Sequence, residues 1–311
     1  MSKQMILPQA PRAVVMIRPH HFTPNPATAA DNAFQSVDEK RAADAIAKAA
    51  YDEVTLAAAS LEKAGVKVHL FEDETKKTPD SVFPNNWFST HAGGYVAIYP
   101  MYSESRRAER RSDIIEMLKK NYRVYNIIDY SSLEYDNIFL EGTGSMVLDH
   151  IERVAYGATS KRTDPILLER FCTHFGYEPL SFDAADANGQ PIYHTNVLMC
   201  MGTEYVIIGL DTIVDPTRRA EIKKRFEDAN RTIIDLSHEQ INEFAGNALE
   251  LSGTEGPVLA LSSRSLKALD SAQIKALEKS VSLLPLDIPT IELAGGSVRC
   301  MLAGIHLTQR S

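Results

Sequence analysis

The chain has 311 residues, 44% of them apolar, and a formal net charge of −8. That length suits one large domain or two ordinary ones, and the apolar share is that of an ordinary globular protein. The acidic balance excludes a nucleic-acid or anionic-membrane surface as the working face.

The first strand is expected over residues 13–18. Residues 38–64 read as a long alanine-rich amphipathic helix stopped by Gly65, with a strand at 66–71 behind it. The order then recurs: a strand at 95–99, a charged helix at 104–121 and a strand at 124–128. Strands at 145–148 and 154–156 precede a helix at 165–175 and a strand at 178–182. Strands at 196–200 and 205–209 precede a helix at 216–230 and a strand at 232–236. Strands at 248–251 and 258–261 precede a helix at 272–279 and a strand at 282–286. This is about five cycles with a period of roughly 50–60 residues, which suggests repeated units closing around an axis. An open α/β sheet with evenly spaced connections is the plain alternative. No linker rich in Pro, Gly or Ser divides the chain, so residues 1–311 read as a single domain.

Three cysteines, Cys172, Cys200 and Cys300, are too few and too odd in number for a disulfide framework, which points to a reducing compartment. The N-terminal stretch to His21 is broken by Pro8, Pro11 and Pro19 and does not read as a signal peptide. No apolar run approaches the roughly 20 residues of a membrane span. A soluble, cytoplasmic protein is expected, without nucleic-acid or membrane partners, and with homo-oligomerisation left open.

The chemistry concentrates near the start of the cycles and at the end of the chain. Cys300 closes Gly295-Gly296-Ser297-Val298-Arg299-Cys300, where two glycines free the backbone and an arginine precedes the sulfur. A buried inert thiol after a glycine turn is the alternative there. Cycle two carries Phe83-Pro84-Asn85-Asn86-Trp87, cycle three Glu141-Gly142-Thr143-Gly144, cycle four His194-Thr195-Asn196 and cycle five Gly246-Asn247. If the cycles surround an axis, these clusters converge at one end of it. His194 is then the natural partner for Cys300, because an imidazole can take the thiol proton and pass it to a leaving amine. Glu141, set before close-approach glycines, can accept N–H groups of a substrate. No Cys/His pair has zinc-ligand spacing, so neither a metal nor an organic cofactor is expected.

In this order, Phe-Pro-Asn-Asn, Glu-Gly-Thr-Gly, Ser-Lys-Arg-Thr, His-Thr-Asn and Gly-Gly-Ser-Val-Arg-Cys resemble the guanidino-group-modifying enzymes. Those are the arginine deiminases, dimethylarginine hydrolases and amidinotransferases, which share the pentein fold. The likeness is strongest to the branch called citrulline utilisation hydrolases, often labelled amidinotransferases, and runs from about residue 12 to the last strand. It implies a fivefold pseudosymmetric α/β propeller, with Cys300 as nucleophile, His194 as acid–base and Glu141 holding the planar substrate head. Arg162, in Ser160-Lys161-Arg162-Thr163, matches an arginine that binds the substrate α-carboxylate; Arg18, Arg264 and Arg299 are the other candidates.

The departures from the family pattern bear on substrate. Arginine deiminases carry aspartate where this chain has Asn86 and again where it has Asn196. Asparagine has no charge but offers both a donor and an acceptor, which suits a neutral ureido group better than a guanidinium. The expected reaction is hydrolysis of citrulline to ornithine, ammonia and carbon dioxide. Arginine deiminase or amidinotransferase chemistry, with Asp136 or Asp211 supplying the missing charge, is the alternative. A non-catalytic ligand-binding propeller is the reading from another class.

Overall fold

Each cycle folds into one three-stranded sheet with the same wiring. The computed structural model describes residues 8–29, 32–36, 38 and 40–310. From the inner to the outer strand, blade one holds Ala303–Gly304, Ala13–Pro19 and Lys67–Asp73. Blade two holds Phe88–His91, Tyr95–Ile98 and Asn126–Asp129, and blade three Met146–Asp149, Val154–Ala158 and Glu178–Phe182. Blade four holds Met199–Met201, Tyr205–Ile208 and Thr232–Asp235, and blade five Leu249–Ser252, Pro257–Ser262 and Ser282–Leu286. In every blade the inner strand runs antiparallel to the middle one, and the middle strand parallel to the outer.

The parallel pair dictates the helices, because two parallel neighbours need a crossover connection. Blade one uses Ala43–Lys63, which buries Ile46, Ala50, Val54, Ala57, Ala58 and Leu61 at helical spacing. Ser112–Asn121, Pro165–Phe175, Pro216–Asp228 and Ser271–Leu277 do the same for blades two to five. Three of these starts are written locally. Asp164 and Asp215 cap helices that open with proline, and Asp270 forms a capping box with Gln273. Each such cap contributes about 1 kcal/mol. The cores lie between the sheets and their helices, and between neighbouring blades.

The five inner strands surround an axis. A cavity of about 40 Å³ is lined by residues from all five of them, including His91, Leu148, Met199, Leu249 and Gly304. The ring closes through the chain ends: Val14 pairs with Gly304 and Val15 with Ala303. The first cycle begins with its middle strand, and the C-terminus supplies its inner one.

The structure departs from the sequence reading in several elements. The first helix begins at Ala43, after an extended Ala42, and one residue of the predicted start, Glu39, lies outside the described residues, as do residues 1–7 of the N-terminal stretch. The helix expected over 104–121 is two, Glu104–Arg107 and Ser112–Asn121, separated by extended backbone at Arg111. The break lets Arg106 turn inward while Ile114 and Leu118 face the core. The strand expected at 196–200 is a helical turn, Thr195–Leu198, followed by Met199–Met201. The inner strand Phe88–His91 has no counterpart in the reading: it is fully buried and mostly polar, so no alternation marks it. No helix among the described residues is long and apolar enough to cross a membrane.

Candidate active site

One turn precedes each inner strand, and each of these turns presents a polar side chain. Asn86 ends the turn Pro84–Asn86, and Glu141 caps Gly142–Ser145. His194 caps Thr195–Leu198, which holds Asn196; Asn247 stands just before Leu249–Ser252; Cys300 lies in Val298–Met301. Pseudosymmetry therefore gathers side chains that are far apart in sequence. Asn86, Arg106, Arg162, His194 and Cys300 line one cavity of about 20 Å³. Glu141 and Asn196 adjoin it through hydrogen bonds to His194 and Cys300. All six residues singled out from sequence thus meet at one place, each almost fully buried. A void of that size has room for about one water. Thr28 and Asn32 form part of its wall, and the cavity must widen before an amino acid can enter.

The sulfur is met by amides. Asn196 Nδ2 and Asn247 Nδ2 each donate to Cys300 Sγ at 3.3 Å. Asn247 cannot be turned round. Its Oδ1 accepts the Arg299 N–H at 3.0 Å, and its Nδ2 also donates to the Asn196 carbonyl at 2.9 Å. Two fixed donors therefore face the sulfur, and N–H donors favour negative charge on the atom they meet. The backbone is shaped for this: Gly295 sits at φ 78°, and a Cβ there would lie 2.4 Å from Asn32 Nδ2.

His194 is oriented by Glu141 rather than by the thiol. Its Nε2 lies 2.8 Å from Glu141 Oε2, while Glu141 Oε1 accepts the Tyr102 N–H at 2.9 Å. Burial opposes the charge on Glu141, but Arg162, with Nη1 3.5 Å away, and the His194 hydrogen bond outweigh it and hold the carboxyl at about 2. An ionised carboxylate only accepts, so the imidazole proton sits on Nε2 and Nδ1 keeps its lone pair. Burial pushes His194 below the ordinary histidine value, against the pull of Glu141. The neutral, proton-accepting form then survives to lower pH than in a free imidazole. The acid limb of kcat/KM is expected below about 6.5, and Glu141→Gln should move it lower still, because that carboxylate is what raises the histidine. A pH–rate profile of the two proteins checks both; a limb unmoved in Glu141→Gln would break the coupling.

Asn86 is pinned as well. Arg106 Nη1 donates to its Oδ1 at 2.8 Å, and a guanidinium cannot accept, so Nδ2 must face the other way. That Nδ2 is buried with no hydrogen-bond partner, and Asn196 Oδ1 is likewise unpartnered. A buried unmet polar atom costs about 1–3 kcal/mol. The site thus holds out one unmet donor and one unmet acceptor. Gly144 makes room for this arrangement: a Cβ there would lie 2.2 Å from Asn86 Nδ2 and 2.8 Å from His194 Nδ1. Gly144→Ala is expected to lower kcat about 100-fold by displacing both groups, read in steady-state kinetics alongside circular dichroism to check that the fold persists.

Three site residues escaped the sequence reading. Arg106 is buried, pairs with Glu109 at 2.9 Å and lies 3.7 Å from Asp80 and 3.9 Å from Glu141. In sequence it looked like one more charge on a surface helix. Asp80 lines the cavity and accepts from Asn25 Nδ2 at 2.7 Å; nothing around it in sequence marks it. Asn247 lay in a noted cluster, but its role needs the fold. The alternative charge donors do not reach the site: Asp211 pairs with Arg219 at the surface and Asp136 is exposed. Of the other arginine candidates, Arg18 pairs with Glu72, Arg264 pairs with Glu243, and Arg299 lines the axial cavity. Arg162 is buried 5.0 Å over the Tyr193 ring and is not the exposed helix-start residue it could have been.

Five blades of this wiring, with these turns at one end of the axis, are the pentein propeller of the guanidino-modifying enzymes. Residues 18–307 match the family model described as N,N dimethylarginine dimethylhydrolase, eukaryotic, and the chain belongs to that family. Among solved structures, the N-terminal domain of ArgZ, a cyanobacterial arginine dihydrolase, matches as a cysteine-to-serine variant bound to substrate. The identity is 15% and the TM-score 0.71, over 94% of this chain and 97% of that one. AgrE, as a cysteine-to-alanine variant in complex with L-arginine, matches at 16% identity and TM-score 0.73, over 96% of this chain and 41% of that longer one. DDAH from Pseudomonas aeruginosa, as a cysteine-to-serine variant complexed with citrulline, matches at 14% identity and TM-score 0.62, over 97% of this chain and all of that one. At these identities the likeness is one of fold. A search of curated proteins finds no match.

Proposed function

We propose that the protein hydrolyses the ureido group of citrulline, giving ornithine, ammonia and carbon dioxide. The observation that carries this reading is the unmet Nδ2 donor of Asn86, held in place by Arg106. A ureido oxygen is the acceptor this donor lacks. A guanidinium offers only N–H groups, so it would set donor against donor there.

The steps follow from the groups present. His194 Nδ1 takes the Cys300 proton, and the sulfur attacks the ureido carbon as charge moves onto the ureido oxygen. Asn86 Nδ2 donates to that oxygen. Glu141 and Asn196 Oδ1 accept the ureido N–H groups. The C–N bond to the ornithine side chain breaks, its nitrogen taking the proton from His194, and a carbamoyl group remains on sulfur. Water, deprotonated by His194, cleaves the C–S bond. The carbamic acid released falls apart to ammonia and carbon dioxide. Arg162 and Arg106, both at the cavity wall, suit the substrate α-carboxylate.

Asp80 favours a second reading, in which a guanidinium is the substrate and the site works as an arginine deiminase or dihydrolase. A carboxylate in the cavity wall is what a guanidinium would seek, and ArgZ and AgrE were solved with substrate and L-arginine respectively. Burial, however, pushes Asp80 up and weakens its charge, and Asn25 already engages it. A steady-state assay with citrulline and arginine side by side separates the two. Ammonia and ornithine from citrulline, with nothing from arginine, is the expected result. Citrulline formed from arginine, or ornithine formed from arginine with citrulline inert, would overturn the ureido reading.

A further inference from the structure

The axial cavity shares no lining residue with the active-site cavity, and the proposed reaction makes no use of it. Its lining includes the guanidinium-bearing Arg299 and three imidazoles from three blades: His91, His150 and His306. No acidic residue lines it. Among the described residues no carboxylate lies within ion-pair distance of Arg299. Its Nη1 donates at 2.9 Å to the Leu302 carbonyl instead. Arg299 is half-buried, and a cation facing a confined space without a counter-charge favours an anion beside it. Here the carboxylate is missing and the space is present.

From this arrangement we infer that the propeller axis holds one small monovalent anion, of halide size, on Arg299 and the surrounding imidazoles. The cavity, about 40 Å³, is twice the size of the active-site void and has room for about two waters, which suits a halide. The His150 and His306 rings lie close, with centroids 4.1 Å apart and planes tilted by 35°. Burial first, and then neighbouring positive groups including Arg299, hold both below the ordinary histidine value, His306 at about 4. The fixed charge facing the cavity is then that of Arg299, which no lining residue neutralises. His91 adds a buried Nδ1 that has no hydrogen-bond partner. The neighbouring polar groups are already spoken for. Gln9 donates to the Leu148 and Met201 carbonyls and accepts the His150 N–H, while Ser89 bonds His91 Nε2 and Tyr99.

The site connects to the catalytic sulfur through backbone. Arg299 immediately precedes Cys300, and its N–H holds Asn247 Oδ1, which fixes the amide that donates to Sγ. An anion that steadies Arg299 therefore steadies this donor, independently of which substrate the enzyme takes.

Bromide tests the inference on the unmodified protein. Crystals grown in sodium bromide should show one anomalous peak on the axis in contact with the Arg299 guanidinium, absent from crystals grown in sodium gluconate. In solution, chloride at constant ionic strength should raise Tm relative to gluconate and saturate, following mass action, whereas the general stabilisation by sulfate should rise without saturating. Arg299→Gln should lose both the peak and the chloride response. If that variant does not fold, the wild-type comparison of chloride, sulfate and gluconate stands by itself. An axis filled with water alone in bromide overturns the inference. So does a peak without a chloride effect on Tm, which would mark an adventitious ion only, or a chloride response that, like that of sulfate, does not saturate.

Discussion

Cys300→Ala should abolish turnover of citrulline, with kcat down on the order of 10⁴-fold or more. The sulfur is the only nucleophile placed between the two amide donors, and the covalent step has no substitute. The change removes one acceptor that serves Asn196 and Asn247, so stability should fall by about 1–2 kcal/mol, which a denaturant titration can read. The inactive protein should still bind substrate, because the arginines, Glu141 and Asn86 are untouched. Calorimetry with citrulline would show this, and wild-type turnover in the variant would end the covalent mechanism. A thiol that also fails to react with a cysteine-directed haloacetamidine would favour a ligand-binding propeller over an enzyme.

Asn86→Asp should exchange substrates. Arg106 would keep its partner, since either side chain offers it an oxygen. The face now occupied by Nδ2 would become a second carboxylate oxygen that repels a ureido oxygen. Loss of one donor to the developing oxyanion costs about 10²–10³ in kcat, and that is the expected loss with citrulline. A guanidinium would gain a charge-assisted hydrogen bond of about 1.5–3 kcal/mol, so arginine should bind roughly 10-fold to 100-fold more tightly. The added negative charge beside His194 should also move the acid limb of the pH profile upward. The measurement is kcat/KM for citrulline and arginine on both proteins. An unchanged ratio would mean that Asn86 holds the turn in shape and does not select the substrate.

Both expectations rest on residues visible in the sequence, and the route by which they were visible is physical. Cys300, His194, Glu141, Asn86 and Asn196 each stand beside a glycine, a proline or a helical turn, because a side chain offered at the end of a propeller axis needs a sharp change of direction before the inner strand begins. The repeat makes that change recur, so the motifs recur with it. Arg106 and Asp80 carry no such mark. Arg106 lies on a short helix among four arginines, and only the break before Ser112 shows that it faces inward. Asp80 reaches the cavity from a loop held by the Asn25 amide on Asp80 and by Ser81 on Asp73. The expected thiol–imidazole pair was drawn from chemistry alone. The structure adds two fixtures to it, amides on the sulfur and a carboxylate on the imidazole, which pairwise reasoning along a chain does not show.

What the sequence by itself determined is the recurring order of strand and helix, the crossover helices with their caps, and which residue types stand at the turns. Hydrophobic spacing and turn chemistry are local, and local pattern suffices for them. The tertiary structure decided the orientation of Asn86 and Asn247, the charge state of Glu141, and the isolation of Arg299 on the axis. Each of these depends on a partner from another blade, and a hydrogen bond or a counter-charge exists only once the blades have closed into a ring.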